Sequence, residues 1–205
     1  MTRPSSRPKP QRLTLRDFIS VAAAVLVVLT ARSSLADHYV VPSGSMLPTV
    51  HLADRILVDK TAYGLRVPFT HTYLTGHGPS HGDVVVLNSP DDGIVLLKRV
   101  VAVPGDRVEV RGGHLALNGV AEVIADQHGH LIERLDHHDH PVLLDPDGGP
   151  DFGPRIVPPD RYLVMGDNRG NSRDGRFFGW VDRNEILGRA VGVYWRDGRP
   201  SWIRL

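Results

Sequence analysis

The chain has 205 residues, no cysteine and a formal charge of +1 at pH 7. This length allows one sizeable domain or two small lobes. The absence of cysteine excludes disulfides and thiolate chemistry, and the near-neutral charge gives no support for nucleic acid as a partner. Glycine and proline are frequent, with 21 and 16 residues, which favours short strands joined by tight turns.

The N-terminal segment combines a basic arm with an apolar run. Residues 1–16 contain five basic residues, three prolines and no acidic residue, a composition typical of a disordered arm. Residues 18–31, FISVAAAVLVVLTA, are apolar on every side of a helix, unlike the surface helix of a soluble protein. The run predicts either a cleavable signal peptide or a membrane anchor.

The two interpretations of this run differ in what happens after it. A signal peptide would be cleaved near the small residues Ser34 and Ala36. An uncleaved transmembrane helix would occupy residues 17–36, with the Arg32 side chain reaching towards the interface, although the apolar run is shorter than the roughly 20 residues of a typical span. Both interpretations place the basic arm in the cytoplasm and residues 37–205 outside the membrane. We expect the single-pass anchor in the cell membrane.

The sequence after residue 37 reads mainly as β-strands. The β-rich runs are 55–59, 83–89, 94–103, 107–111, 114–118, 120–124, 161–165, 177–181 and 189–196. Turn residues separate many of them, which predicts hairpins. Residues 125–160 are rich in His, Asp, Gly and Pro and predict a loop-rich insert, whereas Asp182 and Glu185 have the capping-box spacing of one short helical turn. The predicted fold class is mainly β, antiparallel.

Two serines stand in a stiff loop soon after the apolar run, in the segment VVPSGSMLPTV at residues 40–50. Pro42 and Pro48 flank Ser43 and Ser45. A serine nucleophile needs a base and hydrogen-bond donors for the oxyanion. The chain has eleven histidines, but we predict that they lie in loops, so none is a strong candidate for the base.

Lys98, in the run IVLLKRVVAVPGD, is a better candidate for the base. Strand alternation puts Lys98 on one face with Leu96 and Val100, and Arg99 on the other, so at least one cation is surrounded by aliphatic side chains. Lowering a lysine pKa from about 10.4 to about 7 by burial corresponds to about 4 kcal/mol and makes the amine a general base. Alternatively, Lys98 lies at a strand edge with its tip in solvent.

A third segment, MGDNRGNSRDGRFFGWV at residues 165–181, is dense in hydrogen-bonding side chains and precedes an apolar strand. We interpret it as a loop that orients other groups, with a hydroxyl on the lysine and a carboxylate on an arginine. The run HHDH at residues 137–140 matches no standard metal-ligand spacing, so we expect no metal and no cofactor.

Taken in order, these segments resemble the type I signal peptidases, membrane-anchored serine proteases that remove signal peptides from exported preproteins. PSGSMLPT (42–49) resembles the nucleophile box, ADRILVDK (53–60) the strand after it, and GDVVVLNSP (82–90) with LLKRVVAVPGDRVEV (96–110) the lysine box. GDNRGNSRDGRFFGWV (166–181) resembles the last box. The resemblance implies an antiparallel β catalytic domain after one N-terminal transmembrane helix, and the single apolar run is similar to the one-span Gram-positive form.

The resemblance also implies the catalytic roles. Ser45 would be the nucleophile and Lys98 its general base. Ser43 would lend its hydroxyl to the oxyanion hole alongside the Ser45 backbone N–H.

Three further residues would support this dyad. Ser172 would hydrogen-bond the lysine ammonium, and Asp174 with Arg176 would stiffen the loop around it. Gly170 and Gly175 depart from many relatives, which carry an acid and a serine there, but neither change removes a catalytic group.

The family cleaves after small residues at −1 and −3, the Ala-x-Ala pattern, and binds its substrate extended as an added β-strand. The corresponding pockets would be lined by apolar residues near the nucleophile, namely Val41, Met46, Val50, Leu96 and Leu97. The expected partners are preproteins emerging from the export channel and the lipid bilayer, with no nucleic acid.

Two other functions remain open from the sequence. One is a related Ser–Lys protease of the self-cleaving repressor or pilus-processing type, although repressors lack an N-terminal membrane run. The other is an exported β-rich binding module without catalysis, released after Ala36. The retention of every catalytic residue type argues against the binding module.

Overall fold

The computed structural model describes residue 16 and residues 18–23, 35–64, 73, 76–125, 131–144 and 147–205. The chain divides into two compact units, Met1–Ser33 and Ser34–Leu205. In the first unit, residues 18–23 are helical. Most of the predicted basic arm and residues 24–34 of the predicted anchor lie outside the described residues. Within the described ranges, no helix is long and apolar enough to cross a bilayer.

The second unit is built on a large antiparallel sheet. Among the described residues this sheet has eight strands, which confirms the predicted fold class. In spatial order the strands are β1 (Ala36–Val40), β2 (Arg55–Asp59), β14 (Ile186–Arg196), β3 (Val84–Asn88), β4 (Val95–Ala102), β12 (Arg161–Met165) and β13 (Val181–Asp182), and β15 (Arg199–Arg204) pairs with β14. Ala36, the last residue of the predicted anchor, is instead the first residue of β1.

Two smaller antiparallel sheets accompany the large one. The first has the order β11 (Phe152–Ile156), β5 (Arg107–Arg111), β6 (His114–Leu117) and β7 (Val120–Ala121), and the second has β10 (His138–Val142), β9 (Leu131–Leu135) and β8 (Val123–Ala125). Strands β9, β10 and β11 lie inside residues 125–160, so the predicted loop-rich insert contains three strands that the sequence did not predict. The sequence pattern did not indicate these strands because two polar residues point into the interior, Glu133 on β9 and His140 on β10.

The prediction of a strand at residues 177–181 also needs correction. Gly175–Phe178 form a short helix, because Asp174 caps it by accepting a hydrogen bond from the Arg176 backbone N–H, and only the two residues of β13 are extended. The predicted turn after Asp182 is confirmed as a 3-10 helix at Arg183–Glu185, capped by the Asp182 side chain.

A hydrophobic cluster fixes the serine-bearing loop to the large sheet. Its fully buried members come from the loop and from β2, β3 and β14: Val41, Met46, Val50, Ile56, Val58, Val84, Val86, Ala190 and Val193. Burial of one such side chain contributes about 1.5–3 kcal/mol. The loop therefore rests on a packed base, and its short polar residues remain for chemistry.

Candidate active site

The serine-bearing loop, residues 41–54, is tied at both ends. The Val41 N–H donates to the Asp54 carbonyl at 2.9 Å, and the Ala53 N–H donates to the Val41 carbonyl at 2.9 Å. Asp54, buried with 1% of its surface exposed, accepts from Arg196 Nη2 at 2.5 Å, and the same nitrogen donates to the Thr49 carbonyl at 3.0 Å. Arg196 of β14 thus anchors the loop, a role that sequence reasoning missed.

The loop brings Ser45 to the side chain of Lys98. Lys98 Nζ donates to Ser45 Oγ at 2.7 Å and to the Leu97 carbonyl at 3.0 Å. Lys98 is only 2% exposed, because β4 lies between β3 and β12 inside the sheet. The alternative of a lysine at a strand edge with its tip in solvent is therefore wrong.

Burial changes the acid–base behaviour of this lysine. Loss of solvation lowers the pKa of Lys98 to about 8, while the carboxylates of Asp174 and Asp167 oppose the shift by favouring the ammonium. With that pKa, about a tenth of the amine is neutral at pH 7. A neutral amine within hydrogen-bond distance of a hydroxyl can accept its proton.

A buried ion pair joins the lysine strand to the third polar segment. Asp167, which is fully buried, accepts from Arg99 Nε at 2.9 Å and from Arg99 Nη2 at 2.8 Å. It also accepts from Thr49 Oγ1 at 2.5 Å. Burial raises the pKa of Asp167, but the Arg99 guanidinium outweighs it and holds that pKa below its usual value. Asp167 thus links the strand of Lys98 to the loop of Ser45.

Asn168 and Gly166 support the nucleophile through close backbone contacts. The Asn168 backbone N–H donates to the Ser45 carbonyl at 3.1 Å, and its side-chain amide donates to the Gly44 carbonyl at 3.2 Å. A Cβ at Gly166 would collide with the Ser45 carbonyl and with Ser172 Oγ. The sequence showed these residues only as part of a polar run and a turn, so their contacts with Ser45 were not foreseen.

The three predicted supporting residues lie next to this site, but one expected contact is absent. Asp174 and Arg176 form a fully buried two-point ion pair, with Nε–Oδ1 and Nη2–Oδ2 distances of 2.8 Å. Ser172 Oγ is buried and has no hydrogen-bond partner in the described part of the chain. The prediction of a hydrogen bond between Ser172 and Lys98 is therefore wrong. The ammonium donates to Ser45 Oγ and to the Leu97 carbonyl instead.

Ser43 is the second hydroxyl beside the nucleophile. Its Oγ lies 3.4 Å from Ser45 Oγ, on the exposed side of the loop. The two serines and the lysine amine therefore form one contiguous polar cluster at the sheet surface.

An apolar cavity of about 200 Å³ lies beside the loop. Its lining residues are Tyr39, Val40, Val41, Pro42, Ile56, Val86, Val95, Leu96 and Leu97. Three predicted pocket residues are among them, but Met46 and Val50 are not. These two side chains belong to the packed base of the loop, at 1% and 0% exposure, because the turn at residues 44–50 directs them inwards.

Within the described residues, no group of three or more His, Asp or Glu side chains is arranged to hold a metal ion. His140 is buried, with Nε2 3.2 Å from Glu133 Oε2 and 3.8 Å from Asp167 Oδ1, and neither ring nitrogen has a hydrogen-bond partner within the described residues.

Comparison with known proteins identifies the family. The model of the family "Signal peptidase, peptidase S26" matches residues 15–195. The chain belongs to this family. This signal peptidase is 31% identical over 205 residues to signal peptidase I of Leptolyngbya laminosa, which covers 95% of this chain and 86% of the relative.

Two further relatives agree with this assignment. Signal peptidase I of Pseudomonas aeruginosa is 35% identical over 208 residues, 86% of this chain and 72% of its own length. Signal peptidase I P of Bacillus subtilis subsp. natto is 32% identical over 187 residues, 89% and 90% of the two chains. The resemblance to type I signal peptidases is confirmed, and the chain is a serine endopeptidase of the family that removes signal peptides.

Proposed function

We propose that this signal peptidase cleaves exported preproteins with Ser45 as nucleophile and Lys98 as general base. The observation that carries the proposal is the 2.7 Å contact between Lys98 Nζ and Ser45 Oγ, made by an amine that is 2% exposed. Among the described residues, no histidine is hydrogen-bonded to Ser45 or Lys98, which supports the amine as the group that takes the proton.

The first half of the reaction forms an acyl-enzyme. Neutral Lys98 accepts the Ser45 hydroxyl proton as Oγ bonds to the scissile carbonyl carbon. The resulting ammonium then donates that proton to the leaving amine of the mature protein as the peptide bond breaks. In the second half, the amine removes a proton from water as the water oxygen bonds to the ester carbonyl carbon. The bond between that carbon and Oγ then breaks, the signal peptide leaves as its carboxylic acid, and the ammonium returns a proton to Oγ to restore the Ser45 hydroxyl.

The oxyanion formed in both halves needs hydrogen-bond donors. We assign this role to Ser43 Oγ and the Ser45 backbone N–H, and the 3.4 Å separation of the two serine hydroxyls supports it. Asp174 and Arg176 hold the neighbouring loop rigid, since Asp174 also accepts from the Gly166 N–H at 3.0 Å.

Substrate choice follows from the size of the neighbouring cavity. About 200 Å³ bordered by Val41, Leu96 and Leu97 suits small side chains, which supports cleavage after Ala-x-Ala. The preprotein would lie extended between the chain entering the loop at residues 39–42 and the start of β4. This cavity would then select the −1 and −3 side chains while backbone hydrogen bonds supply affinity.

The basic arm and apolar run support a single membrane anchor in the cell membrane. We propose that residues 1–16 lie in the cytoplasm and the peptidase domain outside, near the bilayer surface. The substrates are then preproteins whose signal peptides emerge from the export channel into the same bilayer.

The direct test measures cleavage of a preprotein by the wild type and by Ser45→Ala and Lys98→Ala variants. Both variants should lose cleavage while their circular dichroism spectra remain those of a folded β protein. Near-normal turnover by folded Lys98→Ala would contradict the dyad, and Thr61→Ala provides a control substitution at a partly buried hydroxyl on another loop.

A further inference from the structure

His81 lies between two carboxylates that come from different parts of the fold. Its Nε2 is 2.6 Å from Asp106 Oδ2, and its Nδ1 is 2.9 Å from Asp136 Oδ2. The His81 side chain is 16% exposed, and that of Asp136 is 61% exposed. Because a carboxylate only accepts hydrogen bonds, both contacts form together only when the ring carries two protons as imidazolium.

The two carboxylates belong to turns that are far apart in the sequence. Asp106 lies in the turn between β4 and β5, where it also accepts from the Val103 N–H at 2.9 Å and from Asn118 Nδ2 at 3.1 Å. Asp136 lies in the β9–β10 turn with φ +53, a left-handed conformation that Asp tolerates. His81 therefore joins the tip of the β9–β10 hairpin to the end of the strand that carries Lys98.

Gly82, the residue after His81, is hydrogen-bonded to the strand that carries Lys98. The Gly82 carbonyl accepts from Arg99 Nη1 at 2.8 Å, and the Gly82 N–H donates to the Val100 carbonyl at 2.9 Å. Arg99 is the neighbour of Lys98 and the partner of Asp167. A displacement of His81 would therefore also shift β4, the strand that carries the general base.

The same hairpin also contacts the segment that supports the nucleophile. Glu133 on β9 is fully buried and accepts from Arg169 Nη1 at 2.7 Å and Nη2 at 2.5 Å. Arg169 directly follows Asn168, whose N–H holds the Ser45 carbonyl. The hairpin thus touches the supports of both dyad members, and its docking affects their alignment.

We infer that His81 is a positioning residue of this active site, fastening the β9–β10 hairpin to the catalytic sheet as an imidazolium held by Asp106 and Asp136. The effect on cleavage rests on the proposed function, whereas the fastening itself does not.

The surroundings give the fastening a pH dependence. Burial lowers the pKa of His81, but the hydrogen bonds and charges of Asp106 and Asp136 outweigh it and raise that pKa above its ordinary value. Glu122, from the chain between β7 and β8, also faces His81, and His138 of β10 packs against Gly82. The stabilisation is fully present below the ordinary histidine pKa of about 6.5 and is lost as the pH rises through the raised value.

This dependence opposes that of the general base. The neutral, basic fraction of Lys98 increases as the pH rises, whereas the hairpin loses its contact with the His81 imidazolium. We therefore expect alkaline conditions to increase the neutral fraction of the amine and, at the same time, to loosen its surroundings.

The test compares hydrogen exchange of the hairpin amides, residues 131–142, in the full-length detergent-solubilised protein at pH 6 and pH 9. All samples carry Ser45→Ala, so the readout is independent of catalysis. After correction for intrinsic rates, His81→Gln should lower protection at pH 6 about tenfold, since two charge-assisted hydrogen bonds are lost. Asp136→Asn should lower it about two- to fivefold, because that carboxylate is exposed. The control His137→Gln, on the same turn, should leave protection unchanged.

The same variants with Ser45 restored are then assayed for cleavage. The pH dependence of kcat distinguishes a positioning role from simple destabilisation. His81→Gln should reduce kcat at pH 6–7 with little change in KM, and the gap from wild type should narrow towards pH 9, where the wild type also loses the fastening. The inference would be overturned if His81→Gln reduced kcat by the same factor at every pH. It would also be overturned if the hairpin amides of both His81→Gln and Asp136→Asn kept wild-type protection. If protection changes as expected but the wild type cleaves no preprotein, the proposed function fails and the fastening stands. If His81→Gln does not fold, Asp136→Asn decides alone.

Discussion

The buried pair of Arg99 and Asp167 allows a sharp prediction about how the site is held together. Asp167→Asn keeps the size of the side chain but removes its charge. Arg99, which is 4% exposed, then loses its counter-ion, while Thr49 keeps an acceptor. Removal of one partner from a buried ion pair costs about 3–5 kcal/mol, a large part of the 5–15 kcal/mol that holds a typical domain folded. The variant should fold but unfold at much lower urea.

The assay is urea unfolding followed by circular dichroism, with Asp91→Asn as the matched control. Asp91 pairs with Arg173 at 2.5 Å, but the two side chains are 37% and 66% exposed, so the same chemical change there should cost less than about 1 kcal/mol.

A second readout concerns the base. Because the Asp167 carboxylate raises the pKa of Lys98, its removal should shift the rise of kcat/KM towards lower pH. An Asp167→Asn variant that loses no more stability than Asp91→Asn, or whose rise in activity moves to higher pH, would contradict this role of Asp167.

Three further predictions concern Gly166 and Ser172, which lie beside Ser45, and Leu97, which lines the cavity. Gly166→Ala should lower kcat about 100-fold, because the new Cβ displaces the Ser45 backbone and small misplacements of reacting groups are costly; a kcat near wild type would contradict the contact. Ser172→Ala should change the free energy of unfolding by less than about 1 kcal/mol, since its hydroxyl has no hydrogen bond to lose within the described residues, and urea unfolding checks this. Leu97→Ala should raise kcat/KM for a substrate with Val at −1 or −3 about tenfold relative to Ala-x-Ala; an unchanged ratio in competition assays would exclude this residue from the pocket.

Regular alternation made most of the large sheet predictable from the sequence. The runs that became β2, β5 and β12 match their predicted bounds residue by residue, because apolar side chains alternate or run continuously between clear turn signals. Lys98 could be recognised because it lies inside such a run and, unlike its neighbour Arg99, can lose its proton. Its burial followed from β4 lying within the sheet rather than at an edge.

The insert could not be predicted because its interior is ionic. Glu133 and His140 read as surface residues in a loop, yet both are buried beside Arg169 and Asp167, which lie far away in the sequence. A local pattern carries no information about such distant partners. The burial of Glu133 raises its pKa, but Arg169 outweighs that effect and lowers it to about 2, so the carboxylate remains ionised inside the protein.

The inward turn of the nucleophile loop explains the remaining error in the predicted pocket. Met46 and Val50 stand close to Ser45 in the sequence, and proximity alone suggested that they line the substrate site. The Val50 N–H donates to the Met46 carbonyl at 2.9 Å, which closes a helical turn and places both side chains in the core. Which side of a tight turn is buried depends on packing against β2, β3 and β14, and no periodicity over so short a segment reveals it.

The dependence of kcat/KM on pH for an Ala-x-Ala peptide measures the protonation of the proposed base most directly. Since only the neutral amine accepts the Ser45 proton, activity should rise with an apparent pKa of about 8. An otherwise folded enzyme whose activity is flat from pH 6 to 10, or rises only near the ordinary lysine value of about 10.4, would contradict a buried amine as the base.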